Sequence, residues 1–307
     1  MGPSAYRYAM ARSPSLFGNI TISNSTFSDH ISSMRGCIWE KWKHVGLTER
    51  PDAGLSKLHQ AISLMLSMFQ GLNRPLAMPW YTPTRIYKHV ASLLAWQLHP
   101  TREMYAHLHP NFRPTALQVS ESYPAIIDWC LLPSVRDRLI LTCAANSRLD
   151  DVILDISHAH CVEADLSTLV ATAPRPTPGF VGLWDVIQAM GDDDDNDNND
   201  NADIDVLPAP SPAALFASPA LARRAFHRLR MDAGLGVFRL DPAFFAKYPE
   251  LYSPELADVL AAGAALRPPG EAGTRLPPPP EGVEVGTVRL YWHLADWVVN
   301  VVCDEPW

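Results

Sequence analysis

Residues 147–172, "SRLDDVILDISHAHCVEADLSTLVAT", decide the fold class of this chain. No β-alternating series long enough for a sheet appears here or elsewhere, so the stretch reads as one or two further helices. On that reading the class is all-α, a single irregular helical domain interrupted by acidic and proline-rich linkers. The same stretch offers His158, His160, Cys161, Glu163 and Asp165 close together, a composition that suggests zinc. Helical zinc pairs want i, i+4 spacing, and structural sites want spaced Cys/His pairs. His158 and His160 at i, i+2 point apart on a helix, so the stretch is expected to be a helix end rather than a metal site. "HLHP" at 107–110 is equally weak, with Pro110 marking a helix stop.

Upstream, "GLSKLHQAISLMLSMFQGL" sets Leu55, Leu58, Ile62, Met65, Phe69 and Leu72 at alternating spacings of three and four, an a/d seam. From Ala61 to Leu72 it carries no charge, so the helix is expected inside a domain rather than in an exposed zipper. "PTRIYKHVASLLAWQLHP" reads as a helix with Thr82 as N-cap and Pro83 at its first position, burying Ile86, Val90, Leu93, Leu94 and Leu98. "PSVRDRLILTCAAN" predicts a helix from Ser134 to about Asn146. Trp80 and Trp129 are expected to anchor the core.

Downstream, "GDDDDNDNND" at 191–200 packs six aspartates into ten positions. A magnesium-binding D-D-x-x-D needs carboxylates one turn apart on a rigid helix, because Mg²⁺ demands near-octahedral geometry. Here like charges crowd i, i+3 and i+4 among asparagines, which opposes a helix, and no complementary second motif follows. The tract reads as a solvated linker. "SPALARRAFHRLRMD" predicts a helix capped by Ser218, with Arg223, Arg224, His227, Arg228 and Arg230 on a solvated face. "LDPAFFAKYPELYSPELADVLAAGA" reads as two short helices broken at Pro249 and Pro254. "RPPGEAGTRLPPPPEG" is a second linker, partly polyproline II, and "VRLYWHLADWVVNVVCDEPW" a buried helix that docks back on the body. The expected organisation is a poorly ordered arm at 1–50 with a short helix near "CIWEKWKHVGL", a helical core at 51–175, an acidic, proline-rich linker at 176–212, and a second part of the core at 213–307.

Charge narrows the function classes. The net charge of −8 comes from 33 acidic against 25 basic residues, and residues 192–205 hold eight of the aspartates. The remainder is neutral, a poor surface for tracking phosphates, so direct DNA binding by this chain alone is disfavoured. The five cysteines are scattered singly with no C-x-x-C pair, as in buried thiols of a reducing compartment. Neither an apolar run long enough to span a membrane nor a secretory h-region is present, which points to nucleus or cytoplasm. No G-x-S-x-G, phosphate-cradling loop or G-x-G-x-x-G occurs, and Gly234–Gly236 in "DAGLGVF" reads as a helix stop and turn. No catalytic, cofactor-binding or metal-binding residue is assigned, and no cofactor is expected.

Two passages carry a resemblance. "RPTALQVSESYPAIIDWCLLPSVRDRLIL", with its R-P-T-x-x-Q start and R-D-x-L-I end, resembles an uncharacterised fungal domain commonly found C-terminal to the basic leucine zipper of transcription factors. "SPALARRAFHRLRMDAGLGVFRLDPAFFAKYPELY" is similar to the segment that follows in that family, so the likeness runs over roughly residues 55–260. No catalytic residue of the family can be carried over. The basic helix that reads DNA in such factors has no counterpart before Leu55, where "RGCIWEKWKHVGLTERPDAG" holds few bases and Pro51 interrupts any continuous helix. Arg136, Asp137 and Arg138 suit packing and ion pairing. The resemblance implies an accessory regulatory or interaction domain without its own DNA-reading module, acting through protein partners (transcription machinery or a DNA-binding subunit) or a small effector. The alternative is a helical small-molecule-binding protein or enzyme with a pocket lined by Trp, Tyr and His.

Overall fold

The structure, a computed structural model, describes residues 23–45, 51–73, 83–191, 206–270 and 276–304, without the side chains of 44–45, 51–55, 73 and 304. The acidic tract, Trp80, Thr82 and the start of the expected N-terminal arm lie outside the described residues. In chain order the helices are α1 (Thr26–Val45), α2 (Pro51–Asn73), α3 (Ile86–Leu98), α4 (Arg102–His107), α5 (Ala116–Ser120), α6 (Pro133–Cys143) and α7 (Leu149–Ala159). Then come β1 (His160–Asp165), β2 (Pro178–Gly182), α8 (Leu183–Met190), α9 (Pro212–Ala217), α10 (Pro219–Arg228), β3 (Phe238–Leu240), α11 (Ala243–Lys247), β4 (Ala264–Leu266) and α12 (Val285–Asp304). The fold is therefore α/β and not all-α: the stretch at 147–172 leaves its helix at Ala159 and becomes a strand.

The reason lies in strand length and composition. β3 and β4 have three residues each, too few for any alternation to register. β2, "PGFVG", opens on proline and holds two glycines, residues depleted in strands. The strands stand in the order β3-β1-β2-β4. β1 is antiparallel to both β2 and β3, whereas β2 and β4 run parallel.

The chain divides into two compact units, the first made of residues 1–75, 87–153 and 278–307 and the second of 76–86 and 154–277. In the first, α1, α2 and α12 pack together. Phe27, Ile31, Met34, Ile38 and Trp42 of α1 are buried. The expected arm thus contributes a twenty-residue helix to the core. His30 joins the three helices: its Nδ1 accepts from the Tyr291 hydroxyl, its Nε2 donates to the Glu281 carbonyl at 2.7 Å, and its ring lies 5.6 Å from that of Phe69. Asp150 caps α1 from α7, accepting from Ser25 Oγ at 2.6 Å, Thr26 Oγ1 at 2.8 Å and the Phe27 amide at 3.3 Å. A carboxylate there satisfies orphan donors and complements the helix dipole.

Of the α2 seam, Leu58, Ile62, Met65 and Phe69 are wholly buried, as a core helix requires. Leu72, by contrast, is 57% exposed and Leu64 37%. α3 begins at Ile86 and not at Pro83, because Arg85 adopts φ +55° and breaks the helical run. Its five expected apolar positions are all buried. Trp96 and Trp184, rather than the half-buried Trp129, are the large core indoles.

In the second unit, the period of two places His160, Val162, Val181, Phe238, Leu240 and Leu266 on one sheet face, all buried. α8, the short apolar helix that "GLWDVIQAM" suggests within the linker, packs on β1, β2 and α10, and β2 is the part of the expected linker that becomes packed structure unannounced by its sequence. Ser218 caps α10 as expected, its Oγ accepting from the Leu221 amide at 3.3 Å. Ala225 and Phe226 are buried, and Arg224, His227, Arg228 and Arg230 face solvent.

Candidate functional site

The polar residues of the two recognised passages converge on hydrogen bonds that hold the backbone in place. In the first unit Asp128, on the 3-10 turn Ala125–Trp129, is 2% exposed. Its Oδ1 accepts from Tyr123 Oη at 2.7 Å and Gln118 Nε2 at 2.9 Å, and its Oδ2 from Gln97 Nε2 at 3.0 Å. Gln97 Oε1 in turn accepts from Arg35 Nη1 at 3.0 Å. A guanidinium on α1 and a carboxylate behind α5 are thus linked through one amide, all buried. Taking such charges out of water is tolerable only because their lone pairs and protons are met by hydrogen bonds. Gln118 also closes a capping box with Thr115 at the start of α5.

Arg136 of α6 is 1% exposed and donates to the carbonyls of Asn111, Cys130 and Arg113, the last at 2.8 Å. The loop after α4 is wrapped on this guanidinium. Asp137 accepts from Thr115 Oγ1 at 2.5 Å. The packing role expected for Arg136 and Asp137 is therefore what the geometry displays.

In the second unit, Asp155 of α7 accepts from Tyr248 Oη and Lys247 Nζ, both at 2.5 Å. Phe244 and Phe245 are buried, with ring centroids 5.1 Å apart. The F-F-x-K-Y-P run is thereby a clasp on α7.

The outer face of the sheet collects the remaining charges. Strand register puts Arg239, Cys161 and Gly182 in one row, with Glu163 and Phe180 in the next. Arg267 pairs with Asp241, and Arg239 lies 4.0 Å from Glu163. Asp185, in the first turn of α8, folds over Gly182; a Cβ there would meet its Oδ2 at 2.5 Å. Burial raises the Asp185 carboxyl, with His158 and Arg267 opposing. Sequence reading passed over Asp185, Asp155, Gln97 and Arg35. Gln97, a single amide inside "LLAWQL", was the one visible signal among them.

The chemistry available to these groups is quiet. Burial pushes the Cys161 thiol up to about 12 and Cys37 to about 11, and raises Cys130, so none is a thiolate nucleophile near neutrality. His160 and Cys161 are adjacent on β1 and point to opposite faces. Among the described residues no group of three metal-ligating side chains forms, and no described helix is long and apolar enough to cross a membrane. None of the five cysteines is in a disulfide.

Burial holds His160 at about 4, against an ordinary value of 6.5. Its folded value is depressed, so its contribution to stability is complete above pH 6.5 and is lost as pH falls toward 4. The loss amounts to about 3 kcal/mol at one pKa unit per 1.36 kcal/mol. His59, His89 and His109 are lowered by burial too and act in the same direction; the raised Asp185 opposes it. Denaturant titrations at several pH values should show this fall, and His160→Leu should flatten it; a variant that retains the full slope would refute the assignment.

The chain is thus a mainly helical α/β protein, and the buried polar groups described above bond to one another and to nearby backbone. A family model described as a domain of unknown function (DUF3425) matches residues 91–175, from the middle of α3 to beyond β1. The match includes Gln97, Thr115, Gln118, Asp128 and Arg136 and is narrower than the likeness read over roughly 55–260. No curated protein and no solved structure matches the chain.

Proposed function

We propose that the chain is an accessory regulatory and interaction domain of the kind associated with fungal basic-leucine-zipper transcription factors. It acts in the nucleus through protein partners or a small effector, is not an enzyme, and leaves DNA reading to another module. The observation that carries this reading is the employment of Gln97, Thr115, Gln118, Asp128 and Arg136: these polar residues of the matched segment bond to one another, to Asp137 and to the segment's own backbone. Side chains engaged in this way support a role carried by the surface of the segment rather than by a reacting centre. The helix before the heptads adds support, since α1 buries one face in the core instead of presenting a basic surface.

The test is tethering. Fused to an unrelated DNA-binding domain, the whole chain should change reporter transcription several-fold relative to that domain alone. A folded, well-expressed fusion without effect would contradict the proposal. By itself the chain should bind duplex DNA no tighter than the non-specific range, about 1 µM or weaker at physiological salt. Sequence-selective binding below that in a gel-shift assay would make the Arg223–Arg230 surface a DNA contact.

A further inference from the structure

His89 of α3 meets His109 of the loop that follows α4, with Lys88 close enough to His89, and Arg113 to His109, for their charges to act on the imidazoles. The two imidazoles lie edge to face with centroids 5.1 Å apart, and His89 stacks on Phe112 at 6.1 Å and 13°. His109 Nδ1 accepts from the Asn111 amide at 3.2 Å, which leaves the ring hydrogen on Nε2. The Arg113 guanidinium rests over the Tyr105 ring at 5.4 Å, and its Nε is buried without a partner. Beneath the same loop sits Arg136, almost wholly buried and bonded only to carbonyls. One turn along α3 from Lys88, Ser92 binds the His59 imidazole of α2 at 3.0 Å. Among the described residues no carboxylate forms an ion pair with Lys88, His89, His109, Arg113 or Arg136.

We propose that Lys88, His89, His109 and Arg113 form a binding site for a small doubly charged oxyanion, a phosphate or sulfate group. The charge balance selects this class. A divalent metal would find two imidazoles but no third ligand among the described residues, and it would be repelled by Lys88, Arg113 and Arg136. An oxyanion offers acceptors to imidazole N–H groups and to a guanidinium, the group best shaped for phosphate. It also supplies the counter-charge that the buried Arg136 lacks. The site deepens the small-effector part of the reading above and rests on that reading for its biological meaning.

The occupant couples to pH. Both imidazoles are held below their ordinary value, His89 by burial, His109 and Lys88, and His109 by burial and Arg113. A bound anion reverses that, so protonation and binding reinforce each other and affinity rises as pH falls. Calorimetric titration of the whole chain with sulfate, a dianion throughout, should show saturable binding at constant ionic strength. That binding should be at least about fivefold tighter near pH 5.5 than near pH 8. His89→Gln/His109→Gln should abolish the pH dependence, and Arg113→Gln, which keeps its backbone carbonyl for Arg136, should weaken binding at both pH values. Circular dichroism would verify that each variant is folded; should Arg113→Gln fail to fold, the histidine pair decides alone. Parallel titrations with inorganic phosphate and glycerol phosphate distinguish a free ion from a phosphomonoester. Absence of saturable sulfate binding at either pH, or binding indifferent to the histidine substitutions, would overturn the site. Neither outcome bears on the reporter assay, so the two readings fail separately.

Discussion

Replacing Asp128 by leucine is expected to destabilise the chain by about 3–5 kcal/mol, the cost of breaking a buried charged network by removing one member. Leucine keeps the branched outline but is larger, so overpacking adds to the electrostatic loss. Tyr123 Oη and Nε2 of Gln97 and Gln118 lose a common acceptor in a site closed to water. Gln97, which links the Arg35 guanidinium to the carboxylate, loses the acceptor that fixes its amide. Asp128→Asn should cost less, because one carbonyl oxygen remains to accept. Chemical denaturation measures both, and a leucine variant within about 1 kcal/mol of the parent, the size of one ordinary hydrogen bond, would show that the network is not a unit.

Gly179→Ala is expected to have the second large effect, at least about 2 kcal/mol, in the upper part of the overpacking range. A Cβ at Gly179 would stand 2.2 Å from the Ala264 carbonyl oxygen and 2.6 Å from Leu166 Cδ1. The first is main chain of β4 and cannot rotate away. The partner position is built the same way: Gly263 has φ +88°, and a Cβ on it would meet the Pro178 carbonyl at 2.3 Å. β2 and β4 can pair in parallel only because neither glycine carries a side chain. Alanine reduces unfolded-chain entropy, but that gain is at most about 1 kcal/mol and is outweighed. The melting temperature should fall by roughly 5 °C or more, taking about 2–4 °C per kcal/mol. Faster amide exchange at Ala265 and Leu266 would localise the damage, and an unchanged melting temperature would mean that β4 does not pair with β2 in solution.

These two substitutions divide what was legible in the sequence from what was not. Long apolar periodicity was legible: the faces of α2 and α3, the Ser218 cap and the C-terminal α12 follow from spacing and capping chemistry. The sheet was hidden because its pairing is set by glycines at 179 and 263, whose close approach belongs to the tertiary structure and leaves no local pattern. "HCVEAD" buries His160, Cys161 and Val162 in succession and so shows no alternation, and its histidine, cysteine and acids look like a ligand set when read linearly. The polar network was half legible. Thr115, Gln118, Asp128 and Arg136 stand within one recognisable passage, but Arg35 and Gln97, distant in sequence, become partners only when α1 packs.

The central claim, that the recognised residues act by holding the fold, is tested most directly by measuring regulatory output per folded molecule. Asp128→Asn, Arg136→Lys, Thr115→Val and Gln118→Leu would each be assayed in the tethered reporter, with unfolding free energy measured on the same proteins. If those residues serve the fold alone, output falls on one common line with the folded fraction, and any variant that remains folded retains full output. A variant as stable as the parent that nevertheless loses output would contradict the account and place a functional group within the Asp128–Arg136 network itself.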